Sequence, residues 1–290
     1  MTNPFEAATS AYAQVRPAYP VGALDVLASK VDGIDEPHVV DLGAGTGKMT
    51  QLLAQRGWHT MAVEPAAAMR HQIRIHPRVR IYGGTAEDTG LPSGCADMVV
   101  AAQAWHWFDA LRASDEAARL LCGSGPYAQT SPQVSPPVGT SHHTYPRPSQ
   151  PRTPHLDSPL IAPTQRGRSN CGGSVLAIVF NQMDVSLPWV HRLTRIMRSG
   201  DVHRADRPPL IGPQFSSLTL DVVAWSDTLS TDDVMALGRT RSSWLRQDKA
   251  GRVRMQDNLR WYLHEHLGYD SGEAVKIPYH TLIWTAHLKA

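Results

Sequence analysis

Short apolar runs and amphipathic segments alternate along the chain from His38 onward, which is the pattern of βαβ units and a parallel sheet. Four apolar or β-branched runs in the first half predict strands at His38–Leu42, Thr60–Glu64, Val79–Tyr82 and Met98–Ala102. Between the first two runs, the segment Lys48–Arg56 places its apolar residues on one helical face and is followed by a glycine. The pattern therefore predicts a strand, a glycine-rich loop, a helix and a second strand in succession.

The same periodicities predict the remaining elements. Helical spacing indicates two more helices in the first half, at Ala67–Ile75 and Leu111–Leu121. The second half comprises an apolar run that predicts a fifth strand, Val175–Phe180, an alternating run at Leu218–Leu229, helical stretches near Thr231–Arg246 and Met255–Leu267, and a strand-like run at Val275–Leu288 that Pro278 breaks. Two late strands joined by helices would complete a seven-stranded sheet, so we expect a doubly wound α/β fold with helices on both faces.

The segment 123–173 differs in composition from the rest of the chain. It holds ten of the 22 prolines, set among Ser, Thr, Gln and His. Such a segment has too little apolar surface to offset the entropy lost on ordering, so we expect a disordered surface loop. Its PxxP-like pieces could bind an SH3-type partner in an extended form, but the composition favours an unstructured insertion.

The composition is that of an ordinary globular protein with little net charge. Of the 290 residues, 42% are hydrophobic and 19% are charged, and 28 Lys plus Arg oppose 26 Asp plus Glu, for a formal charge of +2. Without a long basic run, nucleic acid is not an expected partner. The N-terminus lacks a basic patch followed by an apolar run, and no apolar stretch is long enough to span a bilayer. We therefore expect a cytoplasmic protein without a membrane partner.

The cysteines indicate neither a disulfide framework nor a metal site. Cys95, Cys122 and Cys171 are odd in number and widely spaced, which suits free thiols in a reducing compartment. A zinc site built from two of these cysteines and the pair His142 and His143 would lack the usual CxxC or HxxxH spacing. We therefore expect no bound metal.

The glycine-rich segment Asp41–Gly47 lies at the end of the first predicted strand and before a helix, where a backbone can approach a small polar ligand closely. A phosphate loop is excluded, because Leu42 occupies its first glycine position and Met49 follows Gly47-Lys48. A dinucleotide fingerprint needs GxGxxG, whereas this segment has GxGxG, and the carboxylate of Asp41 would repel a pyrophosphate. That carboxylate would instead favour an ammonium group, such as the methionine end of S-adenosylmethionine.

The segment Asp41–Gly47 resembles the first motif of class I methyltransferases. In that family the motif binds S-adenosylmethionine, which makes Asp41, Gly43, Ala44, Gly45 and Gly47 candidate cofactor-binding residues. The resemblance also implies a Rossmann-like sheet, mostly parallel, whose last strand is antiparallel.

Two acidic residues extend the candidate cofactor site. Glu64 stands 23 residues after Asp41 at the end of the second predicted strand, where a carboxylate can accept hydrogen bonds from both hydroxyls of a ribose. In the family that position binds the adenosine ribose. By the same resemblance Ala86 and Glu87, which follow the third strand, lie beside the adenine. Glu87 could equally be a helix-capping carboxylate.

The segment Gln103–Phe108 looks like the AQAWHWF segment of a bacterial small-molecule subgroup, similar to type 11 methyltransferases, which lines the methyl-transfer cavity. The resemblance makes Gln103 and Ala104 cofactor-binding candidates and Trp105 and His106 catalytic candidates. We expect one of Trp105 and Trp107 to be a core residue. His106 is the only plausible general base in the segment, although a lone histidine is more often structural than catalytic.

The N-terminal YxxxRPxYP pattern also resembles this subgroup, in which the N-terminal segment closes over the cofactor. Tyr12 is therefore a catalytic candidate that could face the donor methyl, and Arg16 could pair with the methionine carboxylate. A surface arginine is the competing interpretation of Arg16. The segment 172–181 matches the family around its fifth strand. Family members reach that strand through a short turn where this chain has the insertion, which we hypothesise to be unselected sequence.

These observations predict three segments and one reaction. Residues 1–122 would form the lid and the cofactor-binding half, 123–173 the insertion, and 174–290 the second half of the same domain with a helical substrate cap. The resemblance implies methyl transfer from S-adenosylmethionine to a small-molecule acceptor. From their positions in the chain, we expect substrate contacts from Trp105–Phe108, from the N-terminal segment and from the helices between Thr231 and Leu267, including Trp244 and Trp261. The alternatives are a catalytically degenerate cofactor-binding protein and, less favoured, a nicotinamide-dependent oxidoreductase.

Overall fold

A computed structural model describes residues 15–121, 174–199 and 203–289 of the chain. The described residues contain a seven-stranded sheet with the order β3-β2-β1-β4-β5-β7-β6. Its strands are β1 His38–Leu42, β2 His59–Val63, β3 Val79–Tyr82, β4 Met98–Ala102, β5 Val175–Met183, β6 Thr219–Ser230 and β7 Ala274–His287. The first five strands pair in parallel, whereas β7 pairs antiparallel with both β5 and β6. The predicted Rossmann-like doubly wound sheet with an antiparallel last strand is confirmed.

Helices flank the sheet, and four of them follow β5 in the second half of the chain. The α-helices are α1 Val21–Ser29, α2 Lys48–Gln55, α3 Ala67–Arg70, α4 Ala110–Leu121, α5 Pro188–Ile196, α6 Thr231–Arg239, α7 Ser242–Leu245 and α8 Lys249–Arg260. A 3₁₀ turn covers Trp105–Trp107, and a π-helical turn, Trp261–His266, continues α8. In the described part of the chain, none of these helices combines the length and the apolar character needed to cross a membrane.

The sheet is buried on both faces, which explains why its central strands read as nearly continuous apolar runs. On one face, side chains of β1, β4 and β5 pack with Ala117 and Leu120 of α4. On the opposite face, alternate residues of the same strands pack with Leu27 of α1 and Leu53 of α2. A third cluster joins α5, α6 and α8 to β7 and includes Tyr279. These last helices form the C-terminal cap.

Several predicted boundaries were wrong. The helix predicted at Ala67–Ile75 ends at Arg70, and the chain then turns so that Ile73 packs against Ala54, Ala62 and Val79. The stretch predicted as one helix near Thr231–Arg246 is split into α6 and α7, and the last helix begins at Lys249 rather than Met255. Helix α8 begins there because the carboxylate of Asp248 accepts a hydrogen bond from the amide of Gly251. Helices α1 and α5 were not predicted.

Pro278 does not break the last strand. Its carbonyl accepts a hydrogen bond from the amide of Asp184, just past the end of β5. In an antiparallel strand the N–H and C=O of one residue point the same way, so the missing N–H of Pro278 faces the end of β5. Pairing between β7 and β6 continues across Ser226 and Pro278, because no ladder bond to β6 depends on the absent donor.

The residues on either side of the insertion, at the end of α4 and before β5, lie next to each other. The hydroxyl of Ser174 donates to the carbonyl of Leu121, with an Oγ–O distance of 3.2 Å. Strand β5 then pairs with β4 in parallel register from Met98 and Val175 onward. The two ends of the intervening segment are therefore adjacent. The predicted disorder of residues 123–173 concerns positions outside the described part of the chain.

Candidate functional site

A cavity of about 780 Å³ opens at the carboxyl ends of the parallel strands, between β1 and β4, where the strand order reverses. This is the edge at which open α/β sheets bind ligands. Its lining brings together eleven of the residues predicted for the site: Arg16, Asp41, Gly43, Ala44, Gly45, Glu64, Ala86, Glu87, Gln103, Ala104 and His106. Gly47 and Trp105 lie next to this lining but not in it, and Tyr12 is outside the described residues.

The glycine-rich turn follows β1 and is fixed to β2 by its backbone. The amides of Gly43 and Ala44 both donate to the carbonyl of Val63, at 2.9 and 3.0 Å. Gly45 has a φ of 58°, and a Cβ built on it would meet no heavy atom within 4 Å. Gly47 has a φ of 82° and begins α2, and a Cβ there would come within 2.9 Å of Ile73. Gly45 thus gives the backbone access to the cavity, whereas Gly47 serves the turn and its packing.

Asp41 is a buried carboxylate with one unused oxygen. Only 1% of the residue is exposed, and Oδ2 accepts a hydrogen bond of 2.6 Å from the hydroxyl of Thr50 on α2. Oδ1 is buried and has no hydrogen-bond partner in the structure. Burial raises the pKa of Asp41 to about 7, against the lowering effect of Thr50. A buried oxygen without a hydrogen bond lowers the stability of the fold. A cationic donor bound in the cavity would provide the missing hydrogen bond.

Glu64 follows β2, and its carboxylate connects the glycine turn to the residue before α3. Its Oε2 accepts from the amide of Gly45 at 2.9 Å, and its Oε1 accepts from the amide of Ala66 at 2.8 Å. A carboxylate offers about four acceptor positions, so each oxygen can accept one more hydrogen bond from a ligand in the cavity. The two backbone contacts hold the carboxylate in place, which prepares it for a pair of adjacent hydroxyls.

The segment after β3 contributes Ala86 and Glu87 to the cavity wall. Ala86 is buried, whereas Glu87 is half-buried and accepts a hydrogen bond of 2.9 Å from the amide of Asp109, directly before α4. Glu87 therefore lies at the start of a helix and on the cavity at the same time. Both interpretations offered by the sequence are compatible with this position.

The segment after β4 separates cavity residues from core residues. Gln103 has a φ of 58°, a conformation rarely adopted by residues other than glycine, and its side-chain amide donates to the carbonyl of Asn181 at 3.0 Å. Trp105 is only 3% exposed, and its indole N–H donates to the carbonyl of Leu210 at 2.9 Å. Trp107 is half-exposed and lines the cavity. One of the two tryptophans is a core residue, as expected, and a catalytic role for Trp105 stays a prediction.

His106 opens into the cavity beside a second histidine that the sequence did not single out. The rings of His106 and His203 are 5.0 Å apart, and His203 stacks on Phe180 at 3.6 Å. These three residues also line an adjoining chamber of about 320 Å³. Partial burial, followed by the charge of Arg16, lowers the pKa of His106 to about 4. Partial burial and the neighbouring His106 lower the pKa of His203 to about 4 as well.

The N-terminal segment crosses the cavity between the glycine turn and the cap. The guanidinium of Arg16 donates to the carbonyl of Thr240 at the end of α6, with an Nη2–O distance of 2.6 Å. The carbonyl of Arg16 accepts from the ammonium of Lys48. Arg16 therefore joins the start of α2 to the cap, and it lines the cavity rather than the outer surface.

The cap contributes side chains that no motif indicated. Arg198, Arg241, Arg246 and the hydroxyl-bearing Tyr279 all line the cavity. The residues Trp244 and Trp261, which were expected to contact the substrate, do not line it. Trp244 packs against Arg252, and Trp261 packs against Arg192. Sequence position alone did not identify the arginines, because they come from the ends of three short helices and share no spacing pattern.

No group of three or more His, Cys, Asp or Glu side chains suited to a metal ion occurs within 15–121, 174–199 and 203–289. Cys95 is buried as a free thiol, and burial raises its pKa to about 11. The other two cysteines and the pair His142 and His143 lie outside these ranges.

Comparison with known proteins identifies a family and several similar proteins. The methyltransferase domain family matches residues 40–128. An uncharacterised methyltransferase of Mycobacterium tuberculosis is 30% identical over 290 residues, covering 99% of this chain and 97% of that protein. A probable S-adenosylmethionine-dependent methyltransferase of Saccharomyces cerevisiae is 27% identical over 125 residues, 40% of this chain and 43% of that protein.

The fold also occurs among solved structures. A proposed type II methyltransferase from Anaeromyxobacter dehalogenans matches with a TM-score of 0.55 and 20% identity, over 94% of this chain and 97% of that one.

Proposed function

Because the chain belongs to the methyltransferase family, we propose that it transfers a methyl group from S-adenosylmethionine to a small-molecule acceptor. The family assignment rests on 30% identity across nearly the whole of a mycobacterial methyltransferase. Two observations support this methyl donor. The yeast relative is named as a probable S-adenosylmethionine-dependent methyltransferase, and the residues of the cavity suit that ligand.

The observation that carries the proposal is the pair of carboxylates, Asp41 and Glu64, on either side of an open glycine turn. The unpaired Oδ1 of Asp41 suits the ammonium group at the methionine end of S-adenosylmethionine. Glu64, held by two backbone amides, suits the two ribose hydroxyls. The open space at Gly45 lets the ligand lie against the backbone between them.

Bound S-adenosylmethionine supplies a methyl group that is already activated on a sulfonium. The protein then chiefly supplies alignment, because a correctly oriented displacement removes much of the entropic barrier. Trp107 and Phe108 present aromatic surface to the cavity, which suits a sulfonium cation and excludes water. His106 is neutral at pH 7, yet a base with a pKa of about 4 is a poor proton acceptor there.

The organisation of the chain remains part of the proposal. Residues 1–122 contribute the N-terminal lid and the cofactor-binding half, and 174–290 contribute the second half, with α5 to α8 as the substrate cap. Residues 123–173 are an insertion between these two halves. The adjacent ends of that insertion, at Leu121 and Ser174, support this division. We also propose a cytoplasmic location.

Calorimetric titration with S-adenosylhomocysteine and, separately, with NAD tests the donor. We expect micromolar binding of S-adenosylhomocysteine, about −8 kcal/mol, and no binding of NAD. Asp41→Ala should weaken that binding, whereas Asp25→Ala should not, because Asp25 pairs with Arg56 on the outer surface. Binding of NAD instead, or equal binding by Asp41→Ala, would contradict the proposal.

A further inference from the structure

The charges on the cavity wall are divided between its two sides. The carboxylates that line the cavity, Asp41, Glu64 and Glu87, all precede α4. Among the described residues after Ser174, the lining contains three arginines and no carboxylate. The arginines are Arg198, Arg241 and Arg246. The cap side of the cavity therefore carries arginines without carboxylates, whereas the cofactor side carries three carboxylates together with Arg16 and Lys48.

Hydrogen bonds between the cap helices gather these arginines. The hydroxyl of Ser243 donates to the carbonyl of Met197 at 2.8 Å, which fixes α7 to the end of α5. Arg198 directly follows Met197, and Arg241 and Arg246 flank α7. The bond from Arg16 to the carbonyl of Thr240 brings a fourth guanidinium to the residue before Arg241. All four of these arginines line the same cavity.

Arg198 occupies a position that ordinarily selects glycine. It has a φ of 49° and closes α5, its amide donating to Arg195 and the amide of Ser199 donating to Thr194. This pair of bonds is the Schellman arrangement, in which the left-handed residue is usually glycine. A non-glycine residue there is strained by about 1 kcal/mol or more. The guanidiniums of Arg198 and Arg246 also have no hydrogen-bond or ion-pair partner among the residues that the structure describes.

Tyr279 provides an independent sign of a ligand on the same side. The residue lines the cavity and is only 2% exposed, yet its hydroxyl has no hydrogen-bond partner among the described residues. Arg241 and Arg16 lie close enough to act on it electrostatically, as does Asp227, which does not line the cavity. Burial raises the pKa of Tyr279 to about 12, so the hydroxyl remains a proton donor. A buried donor beside guanidiniums suits the oxygen of an anion.

We propose that the methyl acceptor is a small anion whose carboxylate or phosphate group binds Arg198, Arg241, Arg246 and the hydroxyl of Tyr279. This inference rests on the proposed function, because it assigns the second substrate of the same cavity. The anion lies opposite the acidic cofactor side, so the division of charge orients the acceptor toward the donor. Guanidinium forks match both carboxylate and phosphate oxygens.

The test measures binding of anions to the protein saturated with S-adenosylhomocysteine. One panel contains small mono-, di- and tricarboxylates, a second contains inorganic phosphate and phosphate monoesters, and a third contains the uncharged amides and alcohols of the same skeletons. Thermal stabilisation selects members that bind, and calorimetry measures their affinity. The first two panels distinguish a carboxylate acceptor from a phosphate acceptor.

We expect binding from at least one anionic panel and none from the uncharged panel. Arg198→Gln and Arg246→Gln should each weaken it at least about tenfold, the effect of losing one charge-assisted hydrogen bond. Arg246→Lys should retain part of the affinity, because the charge remains without the fork. Arg195→Gln is the matched control, since Arg195 belongs to α5 but does not line the cavity.

Two failures are distinguishable. If S-adenosylhomocysteine itself does not bind the wild-type protein, the proposed function fails. If it binds, and neither anionic panel binds or the control variant loses as much affinity as Arg198→Gln, the anionic acceptor is overturned while the donor site stands. Binding of S-adenosylhomocysteine by each variant shows that it is folded.

Discussion

The two walls of the cavity are built in different ways. The cofactor side consists of strand ends and a glycine turn whose backbone amides are bound to Val63 and Glu64, and its ligand groups are buried carboxylates. The cap side consists of long side chains from short helices, and two of its arginines have no partner among the described residues. The first wall is a rigid, preformed site. The second resembles a site completed by its ligand, as expected where one fold serves different substrates.

The largest effect on the cofactor side should come from Glu64→Ala. The change removes the acceptor for two ribose hydroxyls and leaves the amides of Gly45 and Ala66 without their partner. We expect a loss of about 3 kcal/mol, roughly 100-fold in affinity for S-adenosylhomocysteine by calorimetry. Glu64→Gln, which retains one acceptor oxygen, should lose less. A loss below threefold for Glu64→Ala would show that the ribose binds elsewhere.

The glycine turn allows packing and ligand access to be separated. Gly43→Ala would place Cβ 2.8 Å from Ala104 and 2.9 Å from Phe108 at a φ of 65°, so we expect the free energy of unfolding to fall by about 3 kcal/mol. Gly45→Ala meets open space and should cost only about 1 kcal/mol. Its Cβ would nevertheless obstruct the ligand and reduce S-adenosylhomocysteine affinity at least about tenfold. Denaturant titration and calorimetry together check the pair. Normal binding by Gly45→Ala would contradict the assignment of the turn.

Affinity for S-adenosylhomocysteine should depend on pH through Asp41. Its pKa is raised to about 7 in the ligand-free protein, and an ammonium group binds the ionised form, so binding releases a proton. Affinity should rise with pH up to about 7 and level off above, with a loss approaching about tenfold per pH unit below. Asp41→Asn should bind weakly at every pH. Calorimetry in buffers of different ionisation enthalpy measures the number of protons released on binding.

Raising the pH strengthens ligand binding through Asp41 but weakens the contribution of Asp41 to folding stability. Because the folded pKa of Asp41 exceeds its ordinary value of 3.8, its contribution to stability is complete below that value and is lost as the pH rises to about 7. Asp41→Asn should therefore raise the free energy of unfolding at pH 8 by about 1–3 kcal/mol, while Asp25→Asn should not. A destabilised Asp41→Asn protein would contradict this account of the buried carboxylate.

His106→Asn should have a small effect on catalysis. A histidine with a pKa of about 4 stays neutral from pH 5 to 9, so the pH profile of single-turnover methyl transfer should keep its shape. We expect kcat to fall by less than about tenfold, because general-base catalysis ordinarily contributes about 100-fold or more. A larger loss, with a shifted profile, would identify His106 as the base.

Replacement of residues 123–173 by Pro-Gly-Gly should have the smallest effect. The ends of the segment already meet at Leu121 and Ser174, and shortening a loop of this length gains at most about 2.5 kcal/mol in closure entropy. The affinity for S-adenosylhomocysteine should stay within about twofold of the wild-type value. A joint loss of stability and affinity would show that the segment belongs to the fold or the site.

The difference between the two walls also explains what the sequence could predict. Asp41, Gly45 and Glu64 were found because strand, turn and carboxylate are local features with fixed spacing. The seven-stranded sheet followed from the same periodicity. Helix α1 was not predicted, although its buried residues Ala23, Leu24 and Leu27 lie on one helical face. Helix α3 ends early because Ile73 packs inward instead of continuing the helix.

Residues assembled by tertiary structure were not predicted. Arg198 and Arg246 follow α5 and α7, and Tyr279 belongs to β7. The two helices come together through tertiary contacts such as the bond from Ser243 to Met197. His203 was missed for the same reason, since it meets His106 across the cavity. Their functional meaning depends on a shared cavity, and no spacing along the chain encodes that.

A crystal structure of the complex with S-adenosylhomocysteine tests the central claim most directly. The account predicts ribose hydroxyls on Glu64, the ammonium group on Oδ1 of Asp41, and the sulfur facing the part of the cavity lined by Arg198 and Tyr279. Ligand bound outside this cavity, or bound with its sulfur turned away from the arginines, would contradict the division of the cavity into a donor wall and an acceptor wall.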